Sequence, residues 1–404
     1  SVVPPSKRTR MMGDPWLKII GMPDDSASAL PPASRDAIAA AQVIFGGPRH
    51  LDLVGAGTRG RAWPVPFSVD PVLAVKGQNT VVLASGDPFW FGAGSSLAAH
   101  LALGEWAVLP APSTFSLVAG QLGWRMEETT CHGLHAAPLS RLRRVLSPKG
   151  QLICLLRDGA APAELAVWLT DHGAGQAALW VCERMGGPHQ RIRQTTAAGF
   201  NLTDIAAPVA VAVALPGDVG LSRASGLPDD SFAHDGQITK RPVRALTLSA
   251  LAPRPGETLW DIGAGSGSVS VEWCLAGGCA TAFEIKPERV RNIARNIDDF
   301  GLSHLMQVIE GPSLETIQDQ PLPDAVFVGG GGSSALFEQL CAILPKGTRL
   351  VANGVTLETE VLLATLHAAH GGSLLRIELA QSQPLGNMRG WQPARPVVQW
   401  SVIL

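Results

Sequence analysis

The sequence predicts an α/β protein in two parts, a pair of small α/β lobes followed by an open, doubly wound, mostly parallel sheet. Three observations predict it. Strand-like apolar runs alternate with helical periods through the first 217 residues. The stretch 216–237 (PGDVGLSRASGLPDDSFAHDGQ) then loses hydrophobic period and collects Gly, Pro, Ser and Asp. Beyond it a regular strand–helix series resumes, opened by a strand that runs into a glycine-rich turn.

Taken in order, 16–21 reads as a strand, 34–41 as a short helix and 43–46 as a strand. Residues 80–84 form a strand ending in a Gly-Asp-Pro turn, and 93–103 a helix. A proline-containing break at 109–113 precedes a helix at 115–122. Strands near 151–156, 179–182 and 208–215 follow, with a helix at 162–171 among them. The expected division is lobes of 14–109 and 110–217, a linker at 218–236 and a final domain at 237–404. In that domain 258–262, 279–284, 306–310, 325–328 and 349–352 read as strands, 268–275 and 287–300 as helices. An antiparallel pair at 373–381 and 396–403 closes it.

Composition narrows the function classes. The 404 residues are 46% hydrophobic and 16% charged, ample for packed cores and unlike a disordered chain. No apolar run reaches the length of a membrane helix, and 206–215, interrupted by Pro208, reads as a buried strand. Residues 1–10 are basic but lead into no apolar segment, so a loose leader is expected, not a secretory signal. Six cysteines without a Cys-x-x-Cys pair point to reduced thiols, a cytoplasmic setting and no metal site, with Cys274 and Cys279 as core filling. The net charge of −2 divides into 18 basic against 15 acidic residues before position 218 and 14 against 19 after it. Neither half is basic enough to favour nucleic acid as partner.

The densest motif is Trp260-Asp261-Ile262-Gly263-Ala264-Gly265-Ser266-Gly267-Ser268. Glycines where a strand turns into a helix let the backbone approach a ligand. A dinucleotide site spaces them G-x-G-x-x-G. Here the third comes one residue early and an acid precedes the first by two. This D-x-G-x-G-x-G pattern resembles the cofactor turn of Rossmann-like, S-adenosylmethionine (SAM)-dependent methyltransferases. Asp261 suits the cationic amino group of the methionine part, directly or through water. Seventeen residues past Gly267, Glu284 ends the next strand, where a carboxylate accepts ribose hydroxyls. Gly311 follows the third strand, where an adenine edge would lie, and the glycine run beginning at Gly329 follows the fourth.

The first half carries Ser85-Gly86-Asp87-Pro88-Phe89-Trp90-Phe91-Gly92 and the turn Pro112-Ser113-Thr114. As chemistry these are strand-to-helix turns whose amides and hydroxyls line a cleft, and equally Asp87 before Pro88 is a turn initiator. With the strand at 18–21 they resemble the tetrapyrrole (corrin/porphyrin) methylase family, two-lobed enzymes that bind SAM between the lobes. The resemblance implies cofactor contacts at Gly86, Asp87, Ser113 and Thr114. It departs at 22–25, where Met-Pro-Asp-Asp replaces the usual glycine-rich turn.

A tetrapyrrole methylase joined upstream of a D-x-G-x-G-x-G domain resembles the fused methyltransferases of cobalamin biosynthesis. The segments 235–241, 329–332 and 387–391 are similar to the second member of that fusion. The resemblance implies two SAM sites, a precorrin substrate, methylation of ring carbons 5 and 15, and decarboxylation of one acetate side chain. A macrocycle rich in carboxylates calls for basic side chains; Lys240, Arg241, Arg244 and Arg389 are the candidates. His234 and His304 are candidates for returning a proton, and no catalytic residue is assigned. No membrane or nucleic acid partner is expected, and a homo-oligomer is. The rival readings are an RNA methyltransferase, an NAD-dependent dehydrogenase, and a first half that only binds or oligomerises.

Overall fold

The computed structural model describes residues 15–23 and 27–404. The expected leader and Asp24 and Asp25 of the opening turn lie outside the described residues. The chain divides into two compact units. One runs to Ala137 and takes in Ser147–Val219; the other holds Pro138–Leu146 and Gly220–Leu404.

The first unit contains two sheets. Strands β1 (Leu17–Met22), β2 (Val43–Gly46), β3 (Gly60–Ala62), β4 (Thr80–Ser85) and β5 (Trp106–Leu109) form a parallel sheet in the order β3-β2-β4-β1-β5. Leu17, Ile19, Val81 and Val82 are wholly buried, as expected where both faces are covered. The second sheet is β6-β7-β10-β8-β9, from β6 (Thr129–Gly133), β7 (Gln151–Leu156), β8 (Ala178–Glu183), β9 (Arg191–Thr196) and β10 (Val209–Ala214). Only its β6–β7 pair is parallel. The helix expected at 93–103 stops at Ala98. There Glu105 accepts a hydrogen bond from the Ala102 amide at 2.8 Å and turns the chain into β5.

The second unit is a seven-stranded sheet in the order β13-β12-β11-β14-β15-β19-β16. Its strands are β11 (Thr258–Ile262), β12 (Cys279–Glu284), β13 (Met306–Glu310), β14 (Ala325–Val328), β15 (Arg349–Gly354), β16 (Ser373–Ile377) and, after the hairpin below, β19 (Val397–Ile403). The strands from β11 to β15 pair in parallel, and β19 runs antiparallel to both its neighbours, β15 and β16. Alternation along β11 sends Leu259 into a core with Val269, Trp273 and Phe327, and Trp260 and Ile262 into the opposite core with Phe283, Phe337 and Trp400. Asp261 therefore lies on the Leu259 face, beneath the helix Ser268–Leu275.

Two expectations need correction. The closing pair exists as β16 and β19, but β17 (Ala380–Leu385) and β18 (Met388–Pro393) form a separate exposed hairpin between them. Residues 220–236 are no free linker. Glu272 accepts from the amides of Gly226 (2.6 Å) and Leu227 (2.9 Å), and Leu227 and Phe232 are buried in the core. A polar, aperiodic stretch thus folds down because one buried carboxylate satisfies its backbone. Residues 334–343 and 357–370, given no element from sequence, are helices.

Candidate functional site

In the second unit the glycine turn is fastened from two sides. Gly263, Gly265 and Gly267 adopt φ of 67°, 62° and 71°. A Cβ on Gly263 would lie 2.4 Å from the Gly330 carbonyl oxygen, so the turn after β11 and the glycine run after β14 touch through bare backbone. Gly263→Ala is expected to destabilise this unit by about 2–4 kcal/mol through overpacking and left-handed strain. A thermal melt that matches wild type would refute it.

Asp261 is fully buried; its Oδ2 accepts from Ser270 Oγ at 2.7 Å. Its Oδ1 and the Ser266 hydroxyl are buried and have no hydrogen-bond partner. Burial, followed at a distance by the Glu284 charge, raises the Asp261 carboxyl to about 6 against the hydrogen bonds from Ser270. Glu284 is buried too. Its Oε2 accepts from the Gly265 amide (2.8 Å) and its Oε1 from the Ile285 and Lys286 amides (3.0 Å each). It therefore ties β12 to the glycine turn, a task the spacing alone did not disclose.

Over this turn opens a cleft of about 310 Å3, lined by Gly263, Glu284, Arg289, Ser313, Gly330 and Gly331 among others. Asp261, Gly265 and Gly267 lie outside its lining, as does Gly311, although its neighbours Pro312 and Ser313 are in the wall. Gly329 lines an adjoining cavity instead. The arrangement fits SAM: two orphaned buried polar atoms under the turn, a carboxylate on the cleft wall, and a backbone cradle that a Cβ would fill. Bound there, SAM supplies an electrophilic methyl group.

The basic candidates fare unevenly. Arg244 is wholly buried, donating to Glu272 (2.6 Å), Asp229 (3.0 Å), the Thr239 carbonyl and the Leu227 carbonyl, and it stacks over Phe232 at 4.8 Å. This corrects its assignment to substrate: all three of its nitrogens donate inside the fold. Lys240 is exposed beside Asp229 at 3.8 Å, Arg241 is exposed, and Arg389 sits on the β17–β18 hairpin; none lines the cleft. Arg289, which the sequence reading passed over, does line it and pairs with Asp235 at 2.9 Å. Its position in the first turns of the helix Pro287–Asp299, five residues past Glu284, was the available signal. His234 accepts from the Gly236 amide, His304 is exposed, and neither borders the cleft.

In the first unit Gly86, Asp87, Ser113 and Thr114 all line one pocket of about 440 Å3. A Cβ at Gly21 would meet the Gly86 oxygen at 2.0 Å and the Ala111 nitrogen at 2.4 Å, so the end of β1 needs glycine to let both turns converge. Asp87 accepts from the Phe89 amide at 2.9 Å, shaping its turn, and Ser113 caps the helix Thr114–Leu122. Met22 and Pro23 also line the pocket. So does buried His50, absent from the sequence reading; burial, then the Arg49 charge, lowers its imidazole to about 4.

An α/β unit with a glycine-bordered pocket at its strand ends is the form in which SAM-dependent methyltransferases hold their cofactor, and methyltransferase is the class that fold and site define. Residues 17–200 match the tetrapyrrole (corrin/porphyrin) methylases and residues 230–404 the precorrin methyltransferase domain. The precorrin-6Y C(5,15)-methyltransferase (decarboxylating) of Sinorhizobium sp is 45% identical over 397 residues, 96% of each chain. The protein of that name from Mycobacterium tuberculosis (strain CDC 1551 / Oshkosh) is 39% identical over 394 residues, 95% of this chain and 98% of its own. The chain belongs to the precorrin-6Y C(5,15)-methyltransferase (decarboxylating) family, whose members are SAM-dependent methyltransferases. A probable cobalt-precorrin-6B C(15)-methyltransferase (decarboxylating) of Pyrobaculum aerophilum is 32% identical over 182 residues, 43% of this chain and 92% of its own. A solved C-terminal domain of precorrin-6Y C5,15-methyltransferase from Rhodobacter capsulatus is 60% identical, covering 46% of this chain and all of that one, with a TM-score of 0.45. No helix among the described residues is long and apolar enough to cross a membrane.

Proposed function

We propose that this chain is a bifunctional enzyme of cobalamin biosynthesis with a SAM site in each unit. It methylates carbons 5 and 15 of a reduced precorrin and removes one acetate carboxylate, giving precorrin-8. One observation carries the reading: each unit by itself holds a pocket bordered by residues from its motif, Gly86, Asp87, Ser113 and Thr114 in one, Gly263 and Glu284 in the other. Methyl transfer from a sulfonium needs alignment above all, because the leaving group is already good and a meso carbon of the reduced ring is enamine-like. Turns fixed by buried carboxylates and backbone contacts meet that need.

We assign carbon 5 to the first unit, and carbon 15 with the decarboxylation to the second. The Pyrobaculum relative, matched over 182 residues, is named for carbon 15 and decarboxylation together, which supports housing both in one half-length body. The functional bounds are 14–217 and 237–404, with 220–236 serving the second unit as a packed strap. Exposed Leu385, Met388 and Trp391 on the hairpin support self-association, and the free cysteines support a cytoplasmic setting.

The test is incubation of the full chain with the reduced macrocycle and methyl-labelled SAM. Two methyls gained and one CO2 released are expected; one methyl without CO2 overturns the reading. Calorimetry gives a second check. Wild type is expected to bind two SAM per chain, and Glu284→Ala one.

A further inference from the structure

Behind the cleft of the second unit lies another cavity, of about 200 Å3. Gly330 and Gly331 line both, so this bare stretch of backbone is the partition between them. The second cavity is walled by Val328, Phe337, Val355, Leu362 and Leu363, and no Lys, Arg, His, Asp or Glu is in its lining. Its polar side chains are already engaged. Thr356 and Thr359 bond one another in the capping box of the helix Leu357–His370. Asn353 donates to Thr247 Oγ1 at 2.9 Å and accepts from Gln399 at 2.9 Å. The first charged side chains along that helix, Glu358 and Glu360, are acidic. Val355, Leu357 and Val361 are 59%, 77% and 67% exposed, leaving apolar surface on the cavity residue Val355 and the adjoining helix.

We propose that this cavity receives the acetate side chain that is decarboxylated. The inference rests on the reading that the second unit carries both carbon-15 methylation and decarboxylation. In the step, the bond between the methylene and the carboxylate carbon breaks and CO2 leaves. The electron pair passes into the conjugated imine system of the macrocycle, giving an exocyclic enamine. A proton from solvent then adds to the methylene, which becomes a methyl group, so that R–CH2–CO2− plus H+ yields R–CH3 plus CO2.

Negative charge is concentrated on the carboxylate before the step and spread over the ring at its crest. Water holds the first form more strongly than the second. A cavity lined by no cationic side chain weakens that hold and lowers the barrier. The cost of seating a carboxylate there is offset by contacts of the remaining macrocycle, including its apolar face against the exposed rim. The partition explains how one body serves two positions of one substrate: the methyl donor lies on one side of Gly330–Gly331 and the acetate on the other.

Val355 is the point of attack, because it lines the cavity yet is exposed enough to vary without disturbing the core. Val355→Arg places a guanidinium where it pairs with the carboxylate, and Val355→Trp fills the space. Both are expected to lower CO2 release about tenfold or more, an increment of about 1.4 kcal/mol on the barrier. SAM affinity by calorimetry stays at wild-type level, and carbon-15 methylation falls by less than CO2 release. The proposal is overturned if CO2 release keeps pace with carbon-15 methylation in both variants, whether the two are unchanged or fall together. Absence of carbon-15 methylation in the wild-type chain would instead remove the reading beneath it.

Discussion

Asp261→Asn is expected to raise the melting temperature of the SAM-free protein at neutral pH while weakening SAM binding about 10–100-fold, the scale of a lost charge-assisted hydrogen bond. The carboxyl titrates at about 6 in the fold against 3.8 ordinarily, so the folded state holds this proton more tightly than the unfolded chain does. Stability on this account rises as pH falls through 6 towards 3.8 and is lower above 6, where the buried group is charged. That charge costs about 3 kcal/mol at neutral pH. An amide removes the cost but leaves a buried donor at the orphaned Oδ1 position, worth about 1–2 kcal/mol in the other direction. A net gain of about 1 kcal/mol remains, and the pH dependence flattens. Melting curves from pH 5 to 8 and a SAM titration at pH 7.5 check both halves. A variant that melts lower and binds SAM normally would refute the argument.

Arg244→Met is expected to cost the second unit about 3–5 kcal/mol, because Glu272 keeps its buried charge and loses its cation. In a unit of this size that lowers its calorimetric transition by about 10 °C. The strap at 220–236 should loosen with it, since Arg244 also holds the Leu227 carbonyl and Asp229. Adding Glu272→Gln to Arg244→Met should recover part of the loss by neutralising the stranded carboxylate. Equal stability of Arg244→Met and wild type would show that the pair contributes nothing. If Arg244 instead bound substrate, the variant would melt normally and lose only activity.

These two residues mark where reading along the chain succeeds and where it stops. Asp261 is legible because its signal is local: a strand of alternating burial, a turn of three glycines and a helix start within nine residues. Glu284 is legible for the same reason, one strand later, though not its second task of holding the Gly265 amide. Arg244 is not. Its spacing suits a surface cation, and only the approach of Asp229, Glu272 and Phe232 from elsewhere in the chain makes it a core residue. Arg289 is the converse case, an unremarked helical cation that β12 and the glycine turns bring to the cleft wall.

By itself the sequence determined the two-part α/β organisation, the strand-to-helix turns and the residue types at each strand end. Those depend on periodicity, glycine conformation and neighbours a few positions apart. Tertiary structure alone decided which cations are buried, that 220–236 folds onto the second unit, that 380–393 stands out as a hairpin, and that an uncharged cavity backs the cleft. Each of these depends on desolvation and on partners tens of residues away, and solvent exclusion is a property of the packed chain, not of any segment.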